Sequence, residues 1–202
     1  MLIQNIPVLD LVKKYDTPLY IYDTDIILRQ INRLKSAFDV DELDIHFACK
    51  ALNNINILKL IQKWNCGLDT VSIQEIWLGL KAGFKAEQII YTPNCVGPDE
   101  IEMAIELGVQ INIDHIETLE YIGSHYPDTK ICIRINPHVM AGGNEKISVG
   151  HIDSKFGISI YQMPLVLRLV DTLKLKINGL HMHTGSDILD PGVFTLASEI
   201  LF

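Results

Sequence analysis

The chain has 202 residues, which is enough for one domain with a buried core. Hydrophobic residues make up 48% of the sequence and charged residues 21%, and the formal net charge of −8 comes without the basic stripe that a nucleic-acid surface needs. No apolar run is as long as a membrane span, and the N-terminus lacks the order of a signal peptide, so the sequence predicts a cytoplasmic protein with neither nucleic acid nor membrane as a partner.

Short apolar runs alternate with helical periodicity along the chain. The first predicted helix covers residues 23–38, with Asp23 or Thr24 as its N-cap. Strand-like runs follow at 44–50, 66–72, 88–94, 109–115, 130–137 and 177–186. The helices predicted between these runs cover 54–64, 73–84, 98–108, 115–126 and 162–174, the last of them beyond a polar loop from His138 to Lys155.

Repeated β-then-α units with short connections indicate parallel strands joined by right-handed crossovers. A doubly wound sheet and a (β/α)8 barrel both show this repetition, and side-chain alternation favours the barrel. The predicted polar faces of the strands carry His46, Ala48 and Lys50, then Gln110, Asn112 and Asp114, then Cys132, Arg134 and Asn136, then His181 and His183. Because a doubly wound sheet is apolar on both faces, whereas a barrel gathers one set of faces at its mouth, we predict an α/β protein of the TIM-barrel type.

The predicted barrel is incomplete. A complete barrel has eight strands and typically ~250 residues. About six units are predicted here, and the chain ends inside a helical run, LASEILF. The expectation is therefore that residues 1–202 form the N-terminal portion of one barrel domain, with an open edge strand and exposed apolar surface.

Lys50 is the first candidate for chemistry, because it ends a strand on the predicted interior face. Burial disfavours an ammonium group and favours the neutral amine, which is the nucleophile that Schiff-base chemistry requires. A strand-end lysine that reaches solvent is the alternative interpretation.

Segments of the chain resemble, in order, segments of the fold-type III, alanine-racemase-like family of pyridoxal-phosphate-dependent decarboxylases. They are TPLYIYD (17–23), FACKALNN (47–54), CGLDTVSIQEI (66–76), RINPHVMAGG (134–143), SKFGI (154–158) and GLHMHTGSDI (179–188). FACKALNN resembles the cofactor-lysine segment, and GLHMHTGSDI resembles the segment whose histidine lies against the cofactor ring. Within the family, the opening segment and the RINP and SKFGI pair most resemble the diaminopimelate decarboxylase branch.

The resemblance implies pyridoxal 5′-phosphate as the cofactor. The residues implied to bind it are Lys50, Asp69, Arg134, His183, Gly185 and Ser186, and the implied catalytic residues are Lys50 and His183. Lys50 would form the Schiff base, with Asp69 in the shell around it, and His183 would lie against the ring. Gly185 and Ser186 would approach the phosphate, and Arg134 would lie near the phenolic oxygen.

For the whole protein, the resemblance implies decarboxylation of meso-2,6-diaminopimelate to L-lysine and CO2 by a homodimer. It also implies parts that these 202 residues do not contain: a glycine-rich phosphate loop, a glutamate for the pyridinium nitrogen and a C-terminal β-domain. The alternative functions are decarboxylation of another basic amino acid or of carboxynorspermidine, a non-catalytic barrel that binds pyridoxal phosphate, and a barrel that uses Lys50 for aldolase-type chemistry without a cofactor.

Several of the same residues also allow a purely structural interpretation. His181 and His183 share a face and could bind a metal, but no carboxylate or further histidine of matching spacing supports a metal site. Ser72 and Glu75 have the spacing of a helix capping box, which we prefer to a catalytic role for Glu75. Arg134 could serve as a buried partner of an aspartate. The four cysteines lack a C-x-x-C pair, which favours buried free thiols over a disulfide or metal set.

Overall fold

The computed structural model describes residues 1–139, 154–186 and 188–202. The chain forms two compact units, Met1–Ile45 and His46–Phe202. Most of the predicted polar loop from His138 to Lys155 lies outside the described residues. No helix of the described part is long and apolar enough to cross a membrane.

The first unit contains a small hairpin and two helices. Strands β1 (Leu2–Ile3) and β2 (Ile6–Pro7) pair antiparallel, and helices α1 (Val8–Tyr15) and α2 (Thr24–Lys35) follow. The side chain of Asp23 accepts hydrogen bonds from the backbone N–H groups of Asp25 at 3.0 Å and Ile26 at 3.2 Å. Asp23 is thus the N-cap of α2, as predicted, whereas the hairpin and α1 were not predicted.

The second unit is built on a seven-stranded sheet whose strands all run parallel. Its strands are β3 (His46–Ala48), β4 (Gly67–Thr70), β5 (Ile89–Tyr91), β6 (Gln110–Ile113), β7 (Lys130–Asn136), β8 (Ile158–Ser159) and β9 (Lys176–His181). They pair in chain order as far as β7. Strand β7 then pairs with β9 along Lys130–Arg134 and with the short β8 at Ile135 and Asn136. The predicted parallel α/β architecture is confirmed, with β8 as an unpredicted addition.

The helices of the second unit follow their strands as the sequence predicted. They are α3 (Ile55–Lys63), α4 (Ile73–Ala82), α5 (Pro98–Leu107), α6 (Ile116–His125), α7 (Met163–Leu173) and α8 (Gly192–Leu201). Their starts and ends reflect local chemistry: Asn54 caps α3, Pro98 occupies the first turn of α5, and Gly83 ends α4 in the left-handed conformation.

The strand register places one apolar and one polar set of side chains on opposite faces of the sheet. Leu68 aligns with Ile89, and Ile111 aligns with Ile131; all four are fully buried. Buried helix side chains belong to the same core, among them Leu58, Ile61, Ile76, Ile101, Leu119 and Ile122. Strand β9 is an exception to the expectation that the apolar faces of the strands are covered, because Leu180 remains 42% exposed.

The cysteines make no disulfide: all four are free. Cys49, Cys66 and Cys132 are buried, as predicted, whereas Cys95 is exposed. Burial raises the pKa of Cys49, with a smaller contribution from Glu75 and Asp69, and also raises that of Cys132, each to about 11. These two thiols are therefore protonated at neutral pH.

The predicted cap of α4 gives a stability test. The Glu75 backbone N–H donates to the Ser72 hydroxyl at 3.3 Å, and the Glu75 carboxylate accepts from the Val71 backbone N–H at 2.8 Å. We expect Ser72→Ala to lower the free energy of unfolding by about 1 kcal/mol, because one N–H at the helix start loses its acceptor. Urea denaturation measures the change, with Ser124→Ala on the exposed surface of α6 as the control. Equal stability of Ser72→Ala and the parent protein would contradict the role of this cap.

Candidate active site

A cavity of about 540 Å³ lies at the carboxyl ends of the strands, where barrel active sites are found. Its walls come from β3, β4, β7 and β9 and from the segments that follow the strands. The lining residues are Ala48, Lys50, Asp69, Val71, Thr92, Asn94, Arg134, Lys155, Phe156, His181, His183 and Ser186. Five of the six residues expected to bind the cofactor therefore line one cavity.

The register explains why these side chains meet. Ala48 aligns with Asp69, Asn112 aligns with Cys132, and Arg134 aligns with His181. Register partners in adjacent strands project to the same side, so the polar face predicted from alternation is a single continuous surface.

Lys50 lines the cavity but is not part of a strand. Strand β3 ends at Ala48, and the chain turns through a 3₁₀ helix at Cys49–Ala51, closed by a hydrogen bond from the Leu52 N–H to the Cys49 carbonyl at 3.0 Å. Lys50 is exposed. The expectation of a buried strand lysine is therefore wrong, and the alternative of a lysine that reaches solvent agrees with the structure, because the backbone turns into a 3₁₀ helix before Lys50.

Asp69 is held by a buried hydrogen-bonded pair of side chains. The Thr92 hydroxyl donates to Oδ1 of Asp69 at 2.7 Å, and the Asn112 amide donates to the same hydroxyl at 3.0 Å. Burial raises the pKa of Asp69, whereas the Thr92 hydrogen bond and then the charges of Lys50, His46 and Arg134 act to lower it.

Arg134 is buried, with 7% of its surface exposed. Burial lowers the pKa of its guanidinium, and the negative charges of Asp114 and Asp69 oppose that effect. The guanidinium carbon lies 5.0 Å from the centre of the Phe156 ring, within range of a cation–π contact. Arg134 is therefore both a wall of the cavity and a counter-charge for two aspartates, so the two interpretations of this residue are compatible.

His181 and His183 bring neutral imidazoles to the cavity. Burial, followed by the charges of Arg134 and His183, lowers the pKa of His181 to about 4, and burial, followed by Arg134 and Lys50, lowers the pKa of His183. The Nδ1 atom of His181 is buried without a hydrogen-bond partner. Among the described residues, no group of three histidine, cysteine, aspartate or glutamate side chains is arranged to hold a metal ion.

The segment after β9 supplies the last expected residues. Ser186 lines the cavity, and Gly185 has a φ of 145°, a backbone conformation that side chains other than glycine rarely adopt. The structure thus places Gly185 beside a lining residue, although Gly185 itself does not line the cavity.

The loop end Ser154–Ile158 is tied to the strand ends by Asn94. The Asn94 amide donates to Oδ2 of Asp114 at 2.7 Å and to the Lys155 carbonyl at 3.4 Å. Gly157 lets this loop approach β7, since a Cβ there would lie 3.0 Å from the backbone nitrogen of Asn136. Lys155 and Phe156 consequently face the cavity.

Sequence reasoning did not single out Thr92, Asn94 or Phe156. Strand alternation offered a signal for the first two, because Ile90, Thr92 and Asn94 continue one face of a predicted strand. Phe156 follows the loop outside any regular element, so no periodicity indicates the position of its side chain.

A sequence profile of the family described as "Pyridoxal-dependent decarboxylase, pyridoxal binding domain" matches residues 24–201. The chain belongs to this family. The cofactor that a pyridoxal-binding domain of this family implies is pyridoxal 5′-phosphate, in agreement with the expectation from the sequence segments.

Several similar curated proteins are diaminopimelate decarboxylases. The enzyme of Methanothermobacter thermautotrophicus is 37% identical over 204 residues, covering 100% of this chain and 48% of the relative. That of Escherichia coli K12 is 32% identical over 179 residues, covering 87% of this chain and 41% of the relative. The chain therefore spans slightly less than half the length of these curated relatives.

Solved structures of other decarboxylases have folds similar to that of this chain. Diaminopimelate decarboxylase from Helicobacter pylori, complexed with L-lysine, has a TM-score of 0.86 and 32% identity over 96% of this chain and 51% of that one. The lysine/ornithine decarboxylase of Vibrio vulnificus, complexed with putrescine, has a TM-score of 0.81 at 22% identity and covers 96% of this chain and 49% of that one. The second likeness shows the fold alone, and both support the predicted fold class.

The neutral state of His181 predicts a dependence of stability on pH. The pKa of His181 is about 4 in the folded protein, whereas the ordinary value for histidine is 6.5. On acidification, His181 is therefore protonated at a higher pH in the unfolded chain than in the folded protein. The contribution of neutral His181 to the stability of the fold is fully present above pH 6.5 and is lost as the pH falls toward 4. Over this interval we expect the free energy of unfolding of His181→Gln to fall by about 3 kcal/mol less than that of the parent protein. Urea denaturation at a series of pH values measures the difference.

His125→Gln on the exposed surface of α6 is the matched control, because exposure changes little there on unfolding. Parallel stability curves for His181→Gln and the parent protein would show that His181 is not held neutral by the fold.

Proposed function

We propose that the residues around the cavity hold pyridoxal phosphate and that the full protein decarboxylates meso-diaminopimelate to L-lysine and CO2. The observation that carries the proposal is that Lys50 lines the same cavity as Asp69, Arg134, His183 and Ser186 in a chain of this family. The choice of substrate follows the names of the similar proteins, whose identities reach 37%.

The chemistry of the cavity residues fits the cofactor. Lys50 supplies a primary amine for an aldehyde, and the buried guanidinium of Arg134 supplies positive charge for an anionic group. Gly185, which has no Cβ, and the Ser186 hydroxyl would hold the phosphate. A neutral His183 would cover one side of the ring without adding a cation. The buried, unpartnered Nδ1 of His181 is a further polar atom that a ligand could satisfy.

When bound, pyridoxal phosphate supplies an aldehyde for an amine and a conjugated ring that accepts the electron pair of a breaking bond. The protein residues then have to orient the substrate, exclude water and move protons. Lys50 would hold the cofactor through its amine and would return one proton to the carbon that loses CO2, which balances the overall reaction. Burial raises the pKa of Asp69, and the positive charges of Lys50 and Arg134 favour its charged form.

We also propose that residues 1–202 form the N-terminal portion of a larger barrel domain. The share of the relatives that the chain covers, 48% and 41%, supports this assignment. From the family resemblance we propose that the whole protein is a cytoplasmic homodimer. From the covered share we propose that further residues for the cofactor and the substrate come from outside these 202 residues.

The test is an assay of the full-length protein for release of CO2 and formation of L-lysine from meso-diaminopimelate with pyridoxal phosphate. Ornithine, arginine and carboxynorspermidine are supplied in parallel. We expect turnover of diaminopimelate at least tenfold faster than of any other substrate. Faster turnover of one of the others would reassign the substrate, and cofactor binding without any release of CO2 would reassign the protein as a non-catalytic binder.

A further inference from the structure

Three polar side chains connect the middle of the sheet to the candidate active site. Asn112 on β6 donates from its amide to the Thr92 hydroxyl at 3.0 Å, and that hydroxyl donates to Oδ1 of Asp69 on β4 at 2.7 Å. Thr92 and Asn112 are 7% and 5% exposed, so water competes little for these hydrogen bonds.

The direction of these hydrogen bonds is fixed by their chemistry. The amide nitrogen of Asn112 can only donate, so the Thr92 oxygen accepts there. A hydroxyl has one hydrogen, and Asp69 lies at the distance where that hydrogen is used. Asn112 therefore orients the Thr92 hydroxyl as a donor to the carboxylate.

The other groups around Asp69 are charged or titratable. Lys50 and Cys49 come from the turn after β3, His46 from β3 itself, and Arg134 from β7. Burial disfavours the charged carboxylate, and the hydrogen bond from Thr92 is the largest influence that opposes burial, ahead of Lys50, His46 and Arg134. Thr92 acts through a hydrogen bond from an uncharged hydroxyl, so its influence is local and little screened by salt.

We propose that Thr92 is a positioning residue that keeps Asp69 charged and aimed beside Lys50. The proposal deepens the proposed function and rests on it for the role of Lys50 as the cofactor-linking amine. Thr92 would act through Asp69 and not on the substrate. Asn112 would act through Thr92, by orienting its hydroxyl.

The experiment compares three variants of the full-length protein. Thr92→Val removes the hydroxyl at nearly constant volume, and Thr92→Ser retains it. Thr70→Val is the matched control, because Thr70 is also a fully buried threonine, but its hydroxyl donates to the Ile90 carbonyl at 2.9 Å. The primary measurement is the pH titration of the Asp69 carboxyl carbon by NMR in the cofactor-free protein, assigned with Asp69→Asn.

We expect Thr92→Val to raise the pKa of Asp69 by about one unit, because a donor to the charged form is lost. Thr92→Ser should titrate like the parent protein, and Thr70→Val should change stability without moving the titration. In the same variants, the pH below which pyridoxal phosphate can no longer be trapped on Lys50 by borohydride should rise with the pKa of Asp69.

An unchanged Asp69 titration in Thr92→Val would overturn the proposal, as would an equal shift in Thr70→Val. Thr92→Ala removes the same hydroxyl and decides the question if the valine variant does not fold. The titration needs neither cofactor nor turnover. A shifted pKa in a protein that releases no CO2 would therefore reject the proposed function and retain the role of Thr92.

Discussion

Replacement of Lys50 by alanine is expected to abolish covalent attachment of pyridoxal phosphate and to lower decarboxylation by a factor on the order of 10³. The amine lines the cavity beside Asp69, and no other lysine except Lys155 contributes to the described lining. Under the proposed function, removal of the amine eliminates both the attachment point of the cofactor and the proposed proton donor. Borohydride reduction followed by intact-mass analysis measures attachment, and CO2 release measures turnover.

Lys59→Ala on the exposed side of α3 is the matched control, since it removes the same side chain one element away from the cavity. It should keep parental attachment and turnover. Lys155→Ala tests the second lysine of the lining. Cofactor still attached in Lys50→Ala, and lost in Lys155→Ala, would transfer the covalent role to the loop lysine.

Replacement of Arg134 by methionine is expected to destabilise the fold by about 3 kcal/mol and to weaken cofactor binding at least tenfold. Methionine retains most of the volume but removes the buried charge that faces Asp114 and Asp69. It also removes the contact with the Phe156 ring. The destabilisation should be larger at pH 7 than at acidic pH, because protonation of Asp69, whose pKa burial raises, removes one uncompensated charge. Urea denaturation and fluorescence titration with pyridoxal phosphate measure the two effects.

Arg168→Met on exposed α7 is the matched control for arginine loss, and Arg134→Lys retains the positive charge without the planar guanidinium. We expect Arg134→Lys to recover most of the stability and less of the cofactor affinity. Full stability of Arg134→Met would mean that the two aspartates are satisfied by other groups, and unchanged affinity would remove Arg134 from the cofactor site.

The regular part of the fold could be predicted from sequence because each signal was local. Periodicity and caps located the helices that follow the sheet strands, and alternation assigned Asn112, Arg134 and His181 to one face, as the strand register confirms. The hairpin of β1 and β2 was missed because two-residue strands have no alternation to detect. Strand β8 was missed for the same reason, since it pairs with β7 through only two residues.

The candidate site was predicted in part, and the errors in that prediction have a common cause. Period two was extended beyond β3 to Lys50, where the backbone has already turned into a 3₁₀ helix, so the expected burial of the amine was wrong. The position of Phe156 depends on contacts made by a loop after a long separation in sequence. Propensity and spacing report on neighbours along the chain, whereas these features are decided by which distant segments pack together.

Strand β7 pairs with β6 along one edge, and its other edge is divided between β9 and β8. Its first residues are aligned by β9, and its last two are aligned by β8, which brings the Phe156 loop end over the guanidinium of Arg134. A change confined to the side chains of Lys155 and Phe156 can therefore alter this wall of the cavity, while the ladder between β7 and β9 keeps its alignment. This wall is thus a part of the scaffold on which selection for a different ligand can act with little change to the strand pairing.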